Sequence, residues 1–233
     1  MKRFLYKLFI GDPAYNTPVK ATPYSTFVRD IYNTWNNKRH HDTGLEKLLR
    51  LFLVGVQVIF PGMHLMQALG KPGIIVRNIV KELYVVCKTI LPFVFLSQGY
   101  FHNVWAVWIS VYLMTETVLY VISMIFVSDI FVEPRSYRRN LLMLLFNYLE
   151  ICLSYAVVYG GFQMLGGKVT SYVDYVYFSV VTSTTIGYGD IFPVSHLGKW
   201  VVSSEAILSI AFVGLFLNFF GSKMERTYRH DDE

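Results

Sequence analysis

Four apolar runs dominate the chain, at residues 83–101, 104–127, 141–162 and 198–221. At 1.5 Å of rise per residue, runs of about 19–24 residues reach ~29–36 Å as helices, enough to cross the hydrocarbon core of a bilayer. The pattern predicts four membrane-crossing helices. The first two are joined by a turn around residues 100–103 as a hairpin, with Trp105 and Trp108 at one interface. Two shorter stretches behave differently. Behind Thr43 and Glu46, which have capping-box spacing, Leu45, Leu48, Leu49, Phe52, Leu53 and Val56 recur at helical intervals until Pro61 and Gly62. That leaves about 16 residues or ~24 Å, too short to cross, so this helix is expected to lie in the interface. Crossing here would also set Lys38, Arg39, Lys47 and Arg50 outside while Lys71, Arg77 and Lys81 stayed inside, against the positive-inside rule. Residues 174–184 are too short, and too polar at their end, to cross.

Residues 1–43, broken by Pro13, Pro18 and Pro23, show no period that would fill a core and read as a cytoplasmic segment. Lys2, Arg3 and Lys7 beside Phe4, Leu5, Leu8 and Phe9 make either a basic amphipathic anchor or an unstructured start. His40, His41 and Asp42 lack a second ligand group at metal-site spacing and read as a solvated loop. The expected organisation is a cytoplasmic segment 1–43, an interfacial or re-entrant helical region 44–82, a transmembrane hairpin 83–133, a unit 134–221 that holds the last two runs, and a cytoplasmic tail 222–233.

Composition agrees with the runs. At 54% hydrophobic residues and a mean hydropathy of +0.40, the chain exceeds the roughly 45–50% apolar share of soluble domains. The net charge of +5 comes from basic residues beside apolar runs, where it orients spans; nucleic-acid binding is not expected. Arg135, Arg138 and Arg139 lie in a linker between spans, which places that linker in the cytoplasm together with both termini of a multi-pass protein of the cell membrane. Cys87 and Cys152 both fall inside apolar runs and support neither a disulfide framework nor a zinc site. No enzymatic activity is expected.

The chemistry is concentrated in Thr184-Thr185-Ile186-Gly187-Tyr188-Gly189-Asp190. Glycines at 187 and 189 can take positive φ, so successive backbone carbonyls can turn toward one axis. Carbonyls of Thr185, Ile186, Gly187 and Tyr188, with the Thr185 hydroxyl at the inner end, would replace the hydration shell of a dehydrated cation if several copies surrounded it. Here the chain resembles the potassium-channel pore-loop family, whose signature T-[VI]-G-Y-G-D is met from Thr185 to Asp190. The resemblance covers residues 141–221.

It implies an all-α membrane fold of outer helix, pore helix, filter and inner helix in a homotetramer, conducting K+ passively with no cofactor beyond the permeant ion. Thr185, Ile186, Gly187 and Tyr188 would coordinate K+, with Gly189, Asp190, Tyr177, Phe178 and Thr184 supporting them. Tyr177 and Phe178 stand where many relatives carry a tryptophan pair; Phe178 cannot donate a hydrogen bond, whereas Tyr177 can reach Asp190. Val181 replaces the glutamate that some bacterial relatives hold behind the filter. On the inner helix Ile210, Val213 and Leu217 would line the cavity, with Phe219 and Phe220 near the cytoplasmic constriction. Ser209 stands at a common hinge-glycine position, and Gly214 one turn on is the alternative hinge. Expected partners are further copies of the chain, the lipid bilayer and an unidentified regulatory ligand or protein. A regulatory or scaffold subunit with a pore-like fold is a competing class, and a potassium transporter subunit another; the intact signature opposes the first and the single GYG unit the second.

Lys88, Glu116, Glu150 and Glu205 are charged residues within the spans. Counted from the hairpin turn, Lys88 and Glu116 fall within about three residues or ~5 Å of the same depth, which predicts an ion pair. Glu205 is expected to pack behind the pore helix. Arg77, Lys81 and Lys88 share a helix face, but the span next to the pore unit, 104–127, carries no basic residue, so they read as anchors rather than a voltage sensor.

Overall fold

A computed structural model of the chain describes residues 23–36, 44–69, 74–126 and 137–231. Among these residues, α1 is Pro23–Trp35, α2 Gly44–Val56, α3 Pro61–Ala68, α4 Ile74–Ser97, α5 Val104–Phe126, α6 Tyr137–Gly161, α7 Tyr172–Ser183 and α8 His196–Asp231. Two short strands, β1 at Leu165–Gly167 and β2 at Ile191–Pro193, pair antiparallel, Leu165 opposite Pro193 and Gly167 opposite Ile191. The basic amphipathic start, the His40 to Asp42 cluster and Arg135 fall outside the described residues.

The chain divides into two compact units. The first holds α1 to α3, the opening of α4 and the end of α5. Helix α1 corrects the expectation that residues 1–43 lack a period: Phe27, Val28, Ile31, Tyr32 and Trp35 recur at helical spacing, and Pro23 is tolerated in the first turn, where no intrahelical N–H bond is needed. Helices α2 and α3 meet at 60° around Phe60, with Pro61 opening α3. Neither is long enough to cross a membrane alone, whereas the bent pair taken as one broken span is long and apolar enough. In this unit Tyr24 Oη lies 2.6 Å from His64 Nδ1, and His64 Nε2 lies 2.6 Å from the Val58 carbonyl, which can only accept. The ring is thereby protonated on Nε2 and accepts the Tyr24 proton on Nδ1.

The second unit holds the rest of α4 and α5 with α6, β1, α7, β2 and α8. Helices α5, α6 from Arg138, and α8 through Leu217 are each long and apolar enough to cross a membrane. Helix α4 is long enough but less apolar, since Lys81, Glu82 and Lys88 interrupt it. Lys88 is nonetheless buried, its side chain 5% exposed, donating to Thr117 and lying 3.8 Å from Glu116 on α5. Gly99, at φ +73, turns the chain between α4 and α5. Phe101 in that turn packs on α6, where a Cβ on Gly160 would come within 2.8 Å of its ring. A Cβ on Gly161 would come within 2.4 Å of Val107 and 3.0 Å of the Phe101 carbonyl. Two consecutive glycines thus let the hairpin seat closely on the outer helix. Deeper in the same contact, Thr89 donates to the Phe146 carbonyl at 3.1 Å.

Helix α8 differs from its expected bounds. It continues through Ser209 and Gly214 to Asp231, so residues 222–231, expected as a tail, extend the inner helix. No proline follows Gly221, and the polar stretch beyond it holds nothing that stops a helix.

Candidate functional site: the pore loop

The loop is built from its helix. Asp174 closes a capping box with Ser171, accepting the backbone N–H groups of Thr170 and Ser171 at 2.7 and 2.8 Å. Those bonds favour the ionised carboxylate and hold its pKa below the usual range. Helix α7 then runs to Ser183. Its last turn captures the N–H groups of the segment that follows: Thr184 N–H donates to Val180 O, Thr185 to Thr182 O and Ile186 to Val181 O, each at 3.0 Å, and Gly187 to Val181 O at 3.4 Å. The amides of 184–187 therefore point back into the helix end, which leaves the carbonyls of the same peptide units, those of 183–186, to point away.

Backbone handedness then alternates. Thr185 has φ +60, Gly187 φ +60 and Gly189 φ +77, while Ile186 and Tyr188 are not in the left-handed region. Alternating sign at every second residue turns consecutive carbonyls toward the same side, whereas uniform extended backbone would face them alternately. The glycines adopt this without Cβ strain. Thr185 is β-branched, and such a conformation costs on the order of 1–3 kcal/mol, strain of the kind that collects at functional sites. Its positive φ was not anticipated.

The face so formed is uncovered within one chain: Ile186 is 55% exposed and Tyr188 68%. At its outer end the Tyr177 hydroxyl donates to Asp190 Oδ2 at 3.0 Å, and the Tyr177 ring lies parallel to Tyr188 with centroids 6.4 Å apart. The β1–β2 pair ties down the segment after Asp190. Gly167, at φ +101, makes this possible, because a Cβ there would sit 2.3 Å from the Asp190 carbonyl.

Behind α7 lies a hydroxyl network with a carboxylate at its centre. Glu205 of α8 is fully buried, accepting the Tyr159 hydroxyl of α6 on Oε2 at 2.5 Å and meeting the Ser179 hydroxyl of α7 on Oε1. Ser179 also donates to the Cys152 carbonyl at 2.8 Å, and Tyr148 donates to Ser183 at 3.0 Å. Phe178 packs edge-on against Tyr159 with centroids 5.1 Å apart. The pore helix is therefore anchored to α6 and α8 chiefly through Ser179, Ser183 and Glu205, of which only Glu205 was singled out by sequence. Ser and Tyr inside apolar runs are common, and nothing local marks these as partners.

Thr184 caps α7, its hydroxyl donating to Val180 O at 2.6 Å. On α8, Ile210, Val213 and Leu217 are exposed on one stripe with Gly214 beside them, opposite the buried Glu205, Ser209, Phe212 and Leu215. Ser209 donates to the Glu205 carbonyl at 2.8 Å, within a helix that is unbroken at both expected hinges. The side chains of Phe219 and Phe220 lie outside the described residues.

Residues 143–226 match the family model described as "Ion channel". Among curated relatives, "Two pore potassium channel a" of Oryza sativa subsp. japonica is 35% identical over 92 residues, 39% of this chain and 26% of that protein. "Two pore potassium channel b" of the same organism is 42% identical over 56 residues, 24% of this chain and 16% of the relative. "Potassium channel K2" of Plasmodium falciparum (isolate 3D7) is 58% identical over 31 residues, 13% of this chain and 2% of that protein. The chain thus spans about a quarter or less of the length of these relatives. No solved structure matches it. A helix-capped, alternating-handed T-I-G-Y-G-D loop between two long apolar helices thus lies in the part of the chain, residues 143–226, that matches the ion-channel model, and the chain is similar over part of its length to these potassium channels.

Proposed function

We propose that the chain is the subunit of a potassium-selective channel, four copies surrounding one axis so that the carbonyls of Thr185, Ile186, Gly187 and Tyr188 replace the hydration shell of a K+ ion in transit. The observation that carries this reading is the alternation of backbone handedness over residues 185–189, with the amides of 184–187 engaged by α7. Exposure of the same face in one chain supports closure by further copies, because an apolar Ile186 and a polar carbonyl row cannot both rest against lipid. Gly189, Asp190, Tyr177, Phe178 and Thr184 hold the loop in place. Ile210, Val213 and Leu217 line the cavity below it, and Gly214 or Ser209 lets the inner helix bend. The protein sits in the cell membrane with the linker before α6 and both termini in the cytoplasm, in agreement with the basic residues there.

Purified full chain in liposomes should release K+ or Rb+ down a gradient, with Na+ unable to substitute. Equal passage of both ions through a properly assembled oligomer would sink the reading.

A further inference from the structure

Helices α1 and α2 each turn an apolar stripe outward and keep a charged residue on the inner side. On α1, Val28, Tyr32 and Trp35 are exposed and fall within about 60° of one another on the helix circumference, while Asp30 and Thr34 opposite them are buried. The Thr34 hydroxyl donates to the Asp30 carbonyl at 2.9 Å. On α2, Leu45, Leu48 and Phe52 are exposed over a similar arc, Leu45 at 85%, while Arg50, Leu53 and Val54 are buried on the other side. Lys47 of α2 holds its ammonium 5.7 Å from the centre of the Trp35 ring, which brings the exposed end of α1 against α2.

Single apolar side chains on a surface in water are ordinary, but whole stripes outside buried charged residues reverse the pattern of a water-facing helix. Three observations say what covers them. The same unit contains residues 122–126, the end of α5, and α5 is long and apolar enough to cross a membrane, so the unit stands where that helix meets the bilayer surface. The bent α2–α3 pair is itself apolar enough to enter a bilayer. Trp35 beside Lys47 joins an amphipathic ring to an ammonium on a long apolar stem, the combination that settles at the headgroup boundary. We propose that α1 and α2 form one lipid-docking surface, with Val28, Tyr32, Leu45, Leu48 and Phe52 resting among the acyl chains of the leaflet that holds the end of α5, and Trp35 and Lys47 at headgroup level. From its length α2 alone is expected at the interface; the surface adds α1, from the stretch that reads as cytoplasmic.

Docking on lipid is independent of whether K+ passes, and its test needs no flux. A nitroxide is attached to the purified full chain in liposomes at Val28→Cys, Leu48→Cys or Phe52→Cys in a Cys87→Ser background, Cys152 being buried. Collisions with oxygen, which concentrates in the acyl region, are compared with collisions with a water-soluble nickel chelate. Oxygen should exceed the chelate severalfold at all three positions, and the order should reverse at Arg29→Cys and Glu46→Cys, exposed charged positions on the same two helices. A chelate excess at any of the three would put its helix in water, and few collisions of either kind would put it against a second copy or another part of the chain; either result overturns the proposal. Because a label can disturb packing, an unlabelled measurement runs beside it. The share of tryptophan emission that Trp35→Phe removes should be quenched by lipids brominated on the acyl chain near the headgroup, and emission that such lipids leave untouched would equally overturn the docking of α1.

Discussion

Tyr159 and Glu205, 46 residues apart in sequence, join the outer and inner helices through a 2.5 Å hydrogen bond directly behind the pore helix. Both are fully buried, and Ser179 completes the junction from the pore helix. A carboxylate placed there is stable only while its hydroxyl donors remain. Tyr159→Phe preserves the ring that packs on Phe178 but removes the donor, so it should lower unfolding stability by about 1–3 kcal/mol, the cost of leaving a buried acceptor unsatisfied. Ser179→Ala should cost a similar amount, and the double variant less than the sum, since both act on one carboxylate. Thermal unfolding in detergent reads all three; full additivity would mean the two hydroxyls do not share Glu205.

At the outer end of the loop, Tyr177 both donates to Asp190 and lies parallel to Tyr188. Tyr177→Phe separates the two functions, keeping the ring contact and losing the bond. Selectivity for K+ over Na+ should stay close to wild type, since the carbonyl positions depend on α7 and backbone handedness, but sustained currents in planar bilayers should decay faster. Tyr177→Trp, which restores an N–H donor, should recover part of the lost stability of the current. Unaltered decay in Tyr177→Phe would show that Asp190 is held by other means.

Adjacent glycines in β1 should respond unequally. At Gly167 an added Cβ meets the Asp190 carbonyl oxygen at 2.3 Å in a backbone conformation of φ +101. Main chain cannot rotate aside, so Gly167→Ala should break the β1–β2 pairing and abolish assembly of a stable oligomer. At Gly166 the obstacle at 2.4 Å is Val194 Cγ1, the end of a side chain that can change rotamer, so Gly166→Ala should assemble with reduced yield. Size-exclusion chromatography of the two variants checks the order.

The hairpin's seat gives a parallel case. Gly161→Ala places a methyl against Val107 Cγ2 and the Phe101 carbonyl. The valine can shift and the carbonyl cannot, so the hairpin should be held off the outer helix. Hydrogen exchange in residues 99–107 should then speed up severalfold while the exchange of α7 amides stays at its wild-type rate.

These contacts show where sequence reading reached its limit. The loop at 185–190 was legible because its requirement is local: glycines at alternate positions in a fixed hexapeptide between two apolar runs. The pairing of Lys88 with Glu116 was legible too, since a hairpin sets equal depth by counting from its turn. The contact of Glu150 with Thr117 was not, because α6 can present any of its faces to the hairpin and only tertiary packing chooses one. The use of Gly160 and Gly161, which admit Phe101 and Val107, depends on the same choice. Helix α1 is a different kind of miss: the spacing of Phe27, Val28, Ile31, Tyr32 and Trp35 carried the signal, and the prolines upstream obscured it. The continuation of α8 past Gly221 was hidden by polarity, which ends a membrane span but does not end a helix.

The capping box at the head of the pore helix makes the outer mouth sensitive to acid. Asp174 is ionised with two backbone amides directed at it, so its folded pKa lies below that of the unfolded chain. The stabilisation is therefore fully present above the unfolded value of about 4 and is lost as pH falls through the lower folded value. As Asp174 takes up a proton, its hold on Thr170 and Ser171 weakens and the first turn of α7 should fray while Ser183 and the residues after it stay fixed by Tyr148 and Val180. Amide exchange at residues 170–175, compared with an Asp174→Asn variant at each pH, should show extra opening in strong acid in wild type alone. Asn keeps an acceptor and loses the titration, so its opening should be constant over the same interval and greater than that of wild type at neutral pH, where the charge at the helix N-terminus is absent. Parallel profiles in the two proteins would remove Asp174 from any part in holding the pore helix.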